Sequence, residues 1–94
     1  MQLTVRDVNR DFDQQTRAYA EYRAFAALAG RGEPIEKVTV TLARRGGPAG
    51  TVACRIAVRL CSGEPIDVEA FAPRPYAAIE RAAGLLSTHH LARR

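Results

Sequence analysis

Arginine is the residue type with the most chemistry to offer in this sequence. Thirteen of its 14 basic residues are Arg, and Lys37 is the remaining one. A guanidinium presents a planar fork of donors that grips a phosphate or carboxylate through two parallel hydrogen bonds. Arg44 and Arg45 open the glycine-rich stretch RRGGPAG. Arg55 and Arg59 alternate along TVACRIAVRLC, Arg81 stands in a helical stretch, and Arg93 and Arg94 close the chain. Arg17 and Arg23 are six positions apart, about 240° around a helix, and form no stripe.

The other reactive side chains form no constellation. Cys54 and Cys61 lack the CxxC spacing of a redox or metal pair and are expected to be free thiols, Cys54 as a small core residue. His89 and His90 are adjacent, so on a helix they point about 100° apart and do not readily share a metal. There is no Ser/His/Asp or Cys/His arrangement, and the proline in RRGGPAG argues against a phosphate-cradling loop before a helix. The expectation is a binding protein rather than an enzyme, with no metal, cofactor or small-molecule substrate.

Ninety-four residues suffice for a single domain with one modest core, spanning 1–94. The charge balance is 14 basic to 10 acidic residues, net +4, with pI near 9.7. That mild excess permits an RNA partner. The N-terminal MQLTVRD has no apolar segment of the secretory type, and no run approaches the roughly 20 apolar residues that span a bilayer. A soluble cytoplasmic protein without membrane contact is expected.

The elements that must position these arginines are legible from periodicity. Residues 51–61 alternate strictly, with Val52, Cys54, Ile56, Val58 and Leu60 on one face, and predict a central strand. Residues 37–43 and 66–71 alternate likewise, turning Val38, Val40, Leu42 and Ile66, Val68, Ala70 inward. Pairing Leu42 with Val52 and Leu60 with Ile66 sets every inward residue against another and puts Arg59 opposite Asp67. A short first strand covers residues 2–6. A helix capped by Asp11 or Asp13 runs to Ala29, stops at Gly30, and carries an apolar stripe of Tyr19, Tyr22, Phe25, Ala26 and Ala29. A second helix starts at Pro75 and buries Tyr76, Ile79, Ala83 and Leu86, the stripe extending toward His90. The order β-α-β-β-β-α predicts an α+β two-layer sandwich: a four-stranded sheet with both helices on one face, its first two strands parallel.

At this point specific residues carry a resemblance. The MQL start, the IEKVTVTL strand, the CRIAVRLCSGEPIDVEA hairpin and the YAAIE passage at Tyr76–Glu80 resemble the ribosome hibernation-promoting factor (ribosome-associated inhibitor) family, in its short single-domain form. The resemblance extends over essentially the whole chain. It implies a translation inhibitor that sits on the small ribosomal subunit, against its rRNA, in the channel used by mRNA and tRNA, and protects idle ribosomes under stress. The family's last helix usually carries a Lys/Arg series toward its end. Here GLLSTHH stands in that place and basic charge returns only at Arg93 and Arg94.

The candidate RNA-binding residues are therefore Arg81, Arg44, Arg45, Arg55, Arg17, Arg23, Arg93 and Arg94. Arg81 is the leading helical phosphate contact. Arg59 is expected to be spent on a cross-strand salt bridge with Asp67. Two functional classes follow. The first is the ribosome-binding inhibitor. The second is a protein-interaction module that kept the fold and lost the RNA footprint, with an exposed sheet edge where a second copy could pair as a homodimer.

Overall fold

The computed structural model describes residues 1–30, 32–45 and 50–89. Its elements in chain order are β1 (Gln2–Asp7), α1 (Gln14–Ala29), β2 (Ile35–Arg44), β3 (Val52–Leu60), β4 (Pro65–Ala72) and α2 (Pro75–His89). The alternating branched residues of the strands line one face of a sheet ordered β1-β2-β3-β4. β1 is parallel to β2, and the next two pairs are antiparallel. Ala20, Ala24 and Leu28 of α1 and Ile79, Ala82 and Leu86 of α2 share one buried cluster with Val38, Val40, Leu42, Cys54 and Ile56. Both helices thus cover the same sheet face, the two-layer α+β sandwich that the alternation predicts.

Local chemistry sets the helix ends. Asp13, not Asp11, caps α1: its backbone is extended and its carboxylate accepts the Thr16 N–H at 2.8 Å. Gly30 is the C-cap, and Pro75 opens α2, where its missing N–H costs nothing. Asp7, the last residue of β1, ties strand to helix. Its carboxylate accepts the N–H groups of Asp11 at 3.1 Å and Phe12 at 3.0 Å, and lies 3.7 Å from the Arg17 guanidinium.

Both hairpin registers differ from the sequence expectation by two residues. Leu42 pairs with Cys54, Val40 with Ile56 and Val38 with Val58; beyond them, Val58 meets Ile66 and Ile56 meets Val68. A slip of two leaves every side chain on its own face, so alternation cannot detect it, and turn geometry decides. At the β3–β4 turn the loop is Cys61-Ser62-Gly63. Gly63 adopts φ 95° and donates to Leu60 O at 2.8 Å, while Leu60 N–H bonds Glu64 O at 2.9 Å. The left-handed third residue is one that glycine supplies without a steric penalty. Between β2 and β3, the Arg44–Val52 pair and an Arg45 N–H to Thr51 O bond of 2.7 Å carry the ladder further into the glycine-rich stretch than alternation suggests.

The buried face of α1 is also corrected. Thr16, Ala20, Ala24 and Leu28 face the core, whereas Tyr22 and Phe25 are 63% and 52% exposed and Ala26 and Ala29 also lie on the surface. The space beneath α1 is already filled by branched strand residues and by α2, so a row of small side chains at four-residue spacing lets the helix approach. Only Tyr19 of the expected stripe is half-buried, because it turns toward α2 and stacks on Tyr76 with centroids 4.5 Å apart. In α2, Ala78, Ile79, Ala82, Ala83 and Leu86 are buried, while Tyr76 stays largely exposed.

Two stability predictions follow from these local facts. Gly84 is exposed in α2 and a Cβ there would meet no atom within 4 Å. Gly84→Ala should therefore stabilise the fold by about 0.5–1 kcal/mol, read by denaturant unfolding. Burial would raise the Asp7 carboxyl, but the N–H groups of Phe12, Asp11 and Arg10 and the charge of Arg17 outweigh it and hold its pKa below the ordinary 3.8. A carboxyl depressed in this way stabilises fully above its unfolded pKa, and the contribution disappears as pH falls through the folded value. Asp7→Ala should cost about 1–2 kcal/mol at neutral pH. The gap from wild type should close as the pH is lowered through and below 3.8.

Candidate nucleic-acid interface

The outer face of the sheet, opposite the helices, is where alternation sends most of the strand cations. The register arranges its outward residues in rows across the strands. One row reads Gln2, Lys37, Arg59, Pro65; the next Thr4, Thr39, Ala57, Asp67; the third Arg6, Thr41, Arg55, Glu69. Lys37 and Arg59 are direct cross-strand neighbours, both exposed. Like charges so placed repel. The side chains of Lys37, Arg59 and Arg6 make no hydrogen bond or ion pair among the described residues. A phosphate group would relieve that repulsion.

The slipped register exchanges the roles of two arginines. Asp67 lies opposite Ala57 rather than Arg59, and it is Arg55 that grips it with Nε at 2.9 Å and a second bond through Nη2. The Arg55 guanidinium holds the Asp67 carboxyl below the usual carboxylate range, and Asp67 raises Arg55 in return. Arg55, a candidate in the sequence, is thus paired, and Arg59, expected to be paired, is free.

The remaining candidates are held by the fold to differing degrees. Arg44 bonds Asp11, lies with its guanidinium 5.2 Å from the Phe12 ring, and takes the Asn9 side-chain oxygen on its backbone N–H at 2.7 Å. Arg45 lies 3.5 Å from Glu69 and 5.9 Å from the Phe71 ring centre. Arg81 donates to the Phe71 carbonyl at 2.8 Å. Arg17 donates to the Phe12 carbonyl at 2.6 Å. Arg23 is half-buried, with a buried Nε that has no partner. Arg93, Arg94 and His90 lie outside the described residues.

The structure brings Arg44, Arg45 and Arg55 together with Arg6 around a shallow depression of about 430 Å³ on the outer face. Arg17 and Arg23 lie on α1, in the opposite layer, so they do not join this face. Sequence reasoning passed over Arg6 and Lys37. Their outward placement was available from alternation, but their freedom from acidic partners depends on the register. Among the described residues no group of His, Cys, Asp or Glu is placed to hold a metal ion. Tyr19 O–H donates to Glu80, linking α1 to α2, and this bond raises the Tyr19 pKa.

No family model matches the chain, and no curated protein sequence does. Solved structures do. A ribosomal subunit interface protein from Coxiella burnetii superposes with a TM-score of 0.80 at 16% identity, covering 99% of this chain and 97% of its own. The Protein Y N-terminal domain of Thermus thermophilus superposes with a TM-score of 0.73 at 26% identity, covering 99% and 96%. The fold is that of the ribosome hibernation-factor family. The resemblance carried by YAAIE and by the strand sequences is therefore matched by the architecture. In this hibernation-factor fold, Tyr76 and Glu80 of that passage meet Tyr19 of α1, one by ring stacking and one by a hydrogen bond.

The thiols of this hibernation-factor fold are separated by environment. Cys54 is buried and its pKa is pushed up to about 12 by that burial, whereas Cys61 is exposed in the β3–β4 loop. A thiol reagent at neutral pH should label Cys61 rapidly and Cys54 only after denaturation, as mass spectrometry of the labelled peptides would report.

Proposed function

We propose that this chain is a ribosome-associated hibernation factor. It binds the small ribosomal subunit through rRNA, in the channel used by mRNA and tRNA, and protects idle ribosomes in stressed cells. The observation that carries the reading is the end-to-end likeness to a protein named for the ribosomal subunit interface and to the Protein Y N-terminal domain. The activity is occlusion: the chain works by occupying a site, with no reaction to catalyse, and its place of action is the cytoplasm.

The outer sheet face supplies the physical means. Folded RNA is recognised largely by shape and by contacts to phosphate and sugar. Adjacent strands lie about 4.8 Å apart, so the Lys37–Arg59 pair presents two closely spaced cations to one backbone, and Arg6 stands two rows farther along the same face. Thr4, Thr39 and Thr41 add hydroxyls between them. Arg44, Arg45, Arg55 and Arg81 are held by carboxylates, rings or a carbonyl, and each guanidinium has five N–H donors, more than these contacts use. They act as pre-positioned secondary contacts.

Co-sedimentation with purified small subunits tests this. Binding should fall steeply as salt is raised, because counterions are released from each neutralised phosphate. Lys37→Ala and Arg59→Ala should each weaken binding and lower the slope of log K against log salt by about 0.7–0.9. Arg55→Ala should do less, since that charge is already spent on Asp67. Replacing Arg44, Arg45 and Arg81 together should also weaken binding. An absence of pelleting at low salt would remove the ribosome reading and leave the fold with another task.

A further inference from the structure

The two edges of the sheet are not equivalent. β4 begins at Pro65, carries Asp67 and Glu69, and has its Phe71 carbonyl closed by the Arg81 guanidinium at 2.8 Å. Proline, charge and a capped carbonyl are devices that discourage strand addition. β1, QLTVRD, has no proline and no bulge in its register with β2. The Val8 N–H bonds Leu42 O at 3.0 Å, so strand alternation directs the even-numbered residues of β1 toward β2. Leu3 and Val5 therefore turn their N–H and C=O groups to the open edge.

An apolar groove runs beside that edge. Met1, Leu3, Ala18, Glu21, Tyr22 and Phe25 line a depression of about 500 Å³. Met1, Tyr22 and Phe25 are each more than half exposed there. Tyr22 and Phe25 are the aromatic residues of α1 that the core does not use. Exposed aromatic side chains beside an unpaired strand edge offer both the backbone bonds and the apolar area that strand addition needs.

We propose that a second copy of this chain occupies the edge, its β1 pairing antiparallel with β1 across a two-fold axis at Thr4. In that register Leu3 of each copy faces Val5 of the other, and the outward groups of these residues exchange four hydrogen bonds. Gln2 falls opposite Arg6, so no like charges meet. An axis at Arg6 would instead set two guanidiniums face to face. The groove is self-complementary in charge as well. Gln14 and Arg17 flank it near Val5, Glu21 sits at its middle, and Tyr22 and Phe25 lie at the end near Met1. A two-fold exchanges the ends and brings Arg17 of one copy toward Glu21 and Tyr22 of the other, the isologous contact of a closed dimer. The pairing leaves the outer sheet face open and is independent of the ribosome reading.

Sedimentation equilibrium of the full chain across a concentration series tests the proposal. A monomer–dimer equilibrium that weakens only slightly with added salt, as the Arg17–Glu21 contacts are screened, is expected, in contrast to the steep salt dependence of ribosome binding. Thr4 is exposed on the outer face, so replacing it should leave the fold intact, as circular dichroism would verify. Thr4→Arg and Thr4→Glu should each weaken self-association by roughly tenfold or more, because each sets like charges together at the axis. Mixing the two variants should restore a dimer. Tyr22→Glu with Phe25→Glu should also dissociate it. A monomer at every concentration, a dimer indifferent to all these substitutions, or a mixture of the Thr4 variants that stays monomeric would overturn the proposal.

Discussion

The loop Cys61-Ser62-Gly63 constrains the rest of the outer surface. With Gly63 in the left-handed region and Leu60 bonded to Glu64, the β3–β4 hairpin has one register. That register sets Asp67 beside Ala57 and within reach of Arg55, and leaves Arg59 beside Lys37 with no acid between them. A register shifted by two, with Leu60 opposite Ile66 across a five-residue loop, would keep the same faces while setting Arg59 opposite Asp67 and reversing which arginine is free. The electrostatic character of the candidate interface thus depends on a backbone conformation at the far end of the hairpin.

Arginine holds this fold together and, on the proposed reading, also binds. Arg17 helps hold the Asp7 carboxylate that joins β1 to α1, Arg44 joins the end of β2 to the connection between them, and Arg81 closes an exposed strand carbonyl. Exposed ion pairs of this kind contribute little individually. They also leave donors unspent, so a guanidinium that anchors a loop still offers N–H groups to a phosphate. This is a physical reason for an Arg-rich surface to look thinly basic in sequence and yet present ordered cations. Among the described residues, the helix with GLLSTHH offers that surface Arg81, and the sheet carries the rest.

α1 divides its residues between two tasks. Its small side chains, Ala20 and Ala24, allow close packing on the sheet, and its large ones, Tyr22 and Phe25, are left beside the unpaired β1 edge. The two observations have one origin. A helix that buries its small face must expose its bulk elsewhere, and here the bulk falls next to an edge strand whose outward backbone groups have no partner strand.

How much was legible beforehand follows from what each signal measures. Alternation in β2, β3 and β4, a helix cap at Asp11 or Asp13, the Pro75 start and the order of elements determined the α+β sandwich, because they report which face of a strand or helix is apolar and where the chain must turn. The likeness of YAAIE and the hairpin sequences to the hibernation-factor family is a separate signal, a resemblance of motif rather than of apolar periodicity. Three things required the tertiary structure. The hairpin registers did, since a two-residue slip preserves every face. The buried row of α1 did, since aromatic spacing marks bulk and the space beneath the helix admits only small side chains. The free or paired state of each arginine did too, because Arg55 and Arg59 share a face and a strand, and only the position of Asp67 across the ladder distinguishes them.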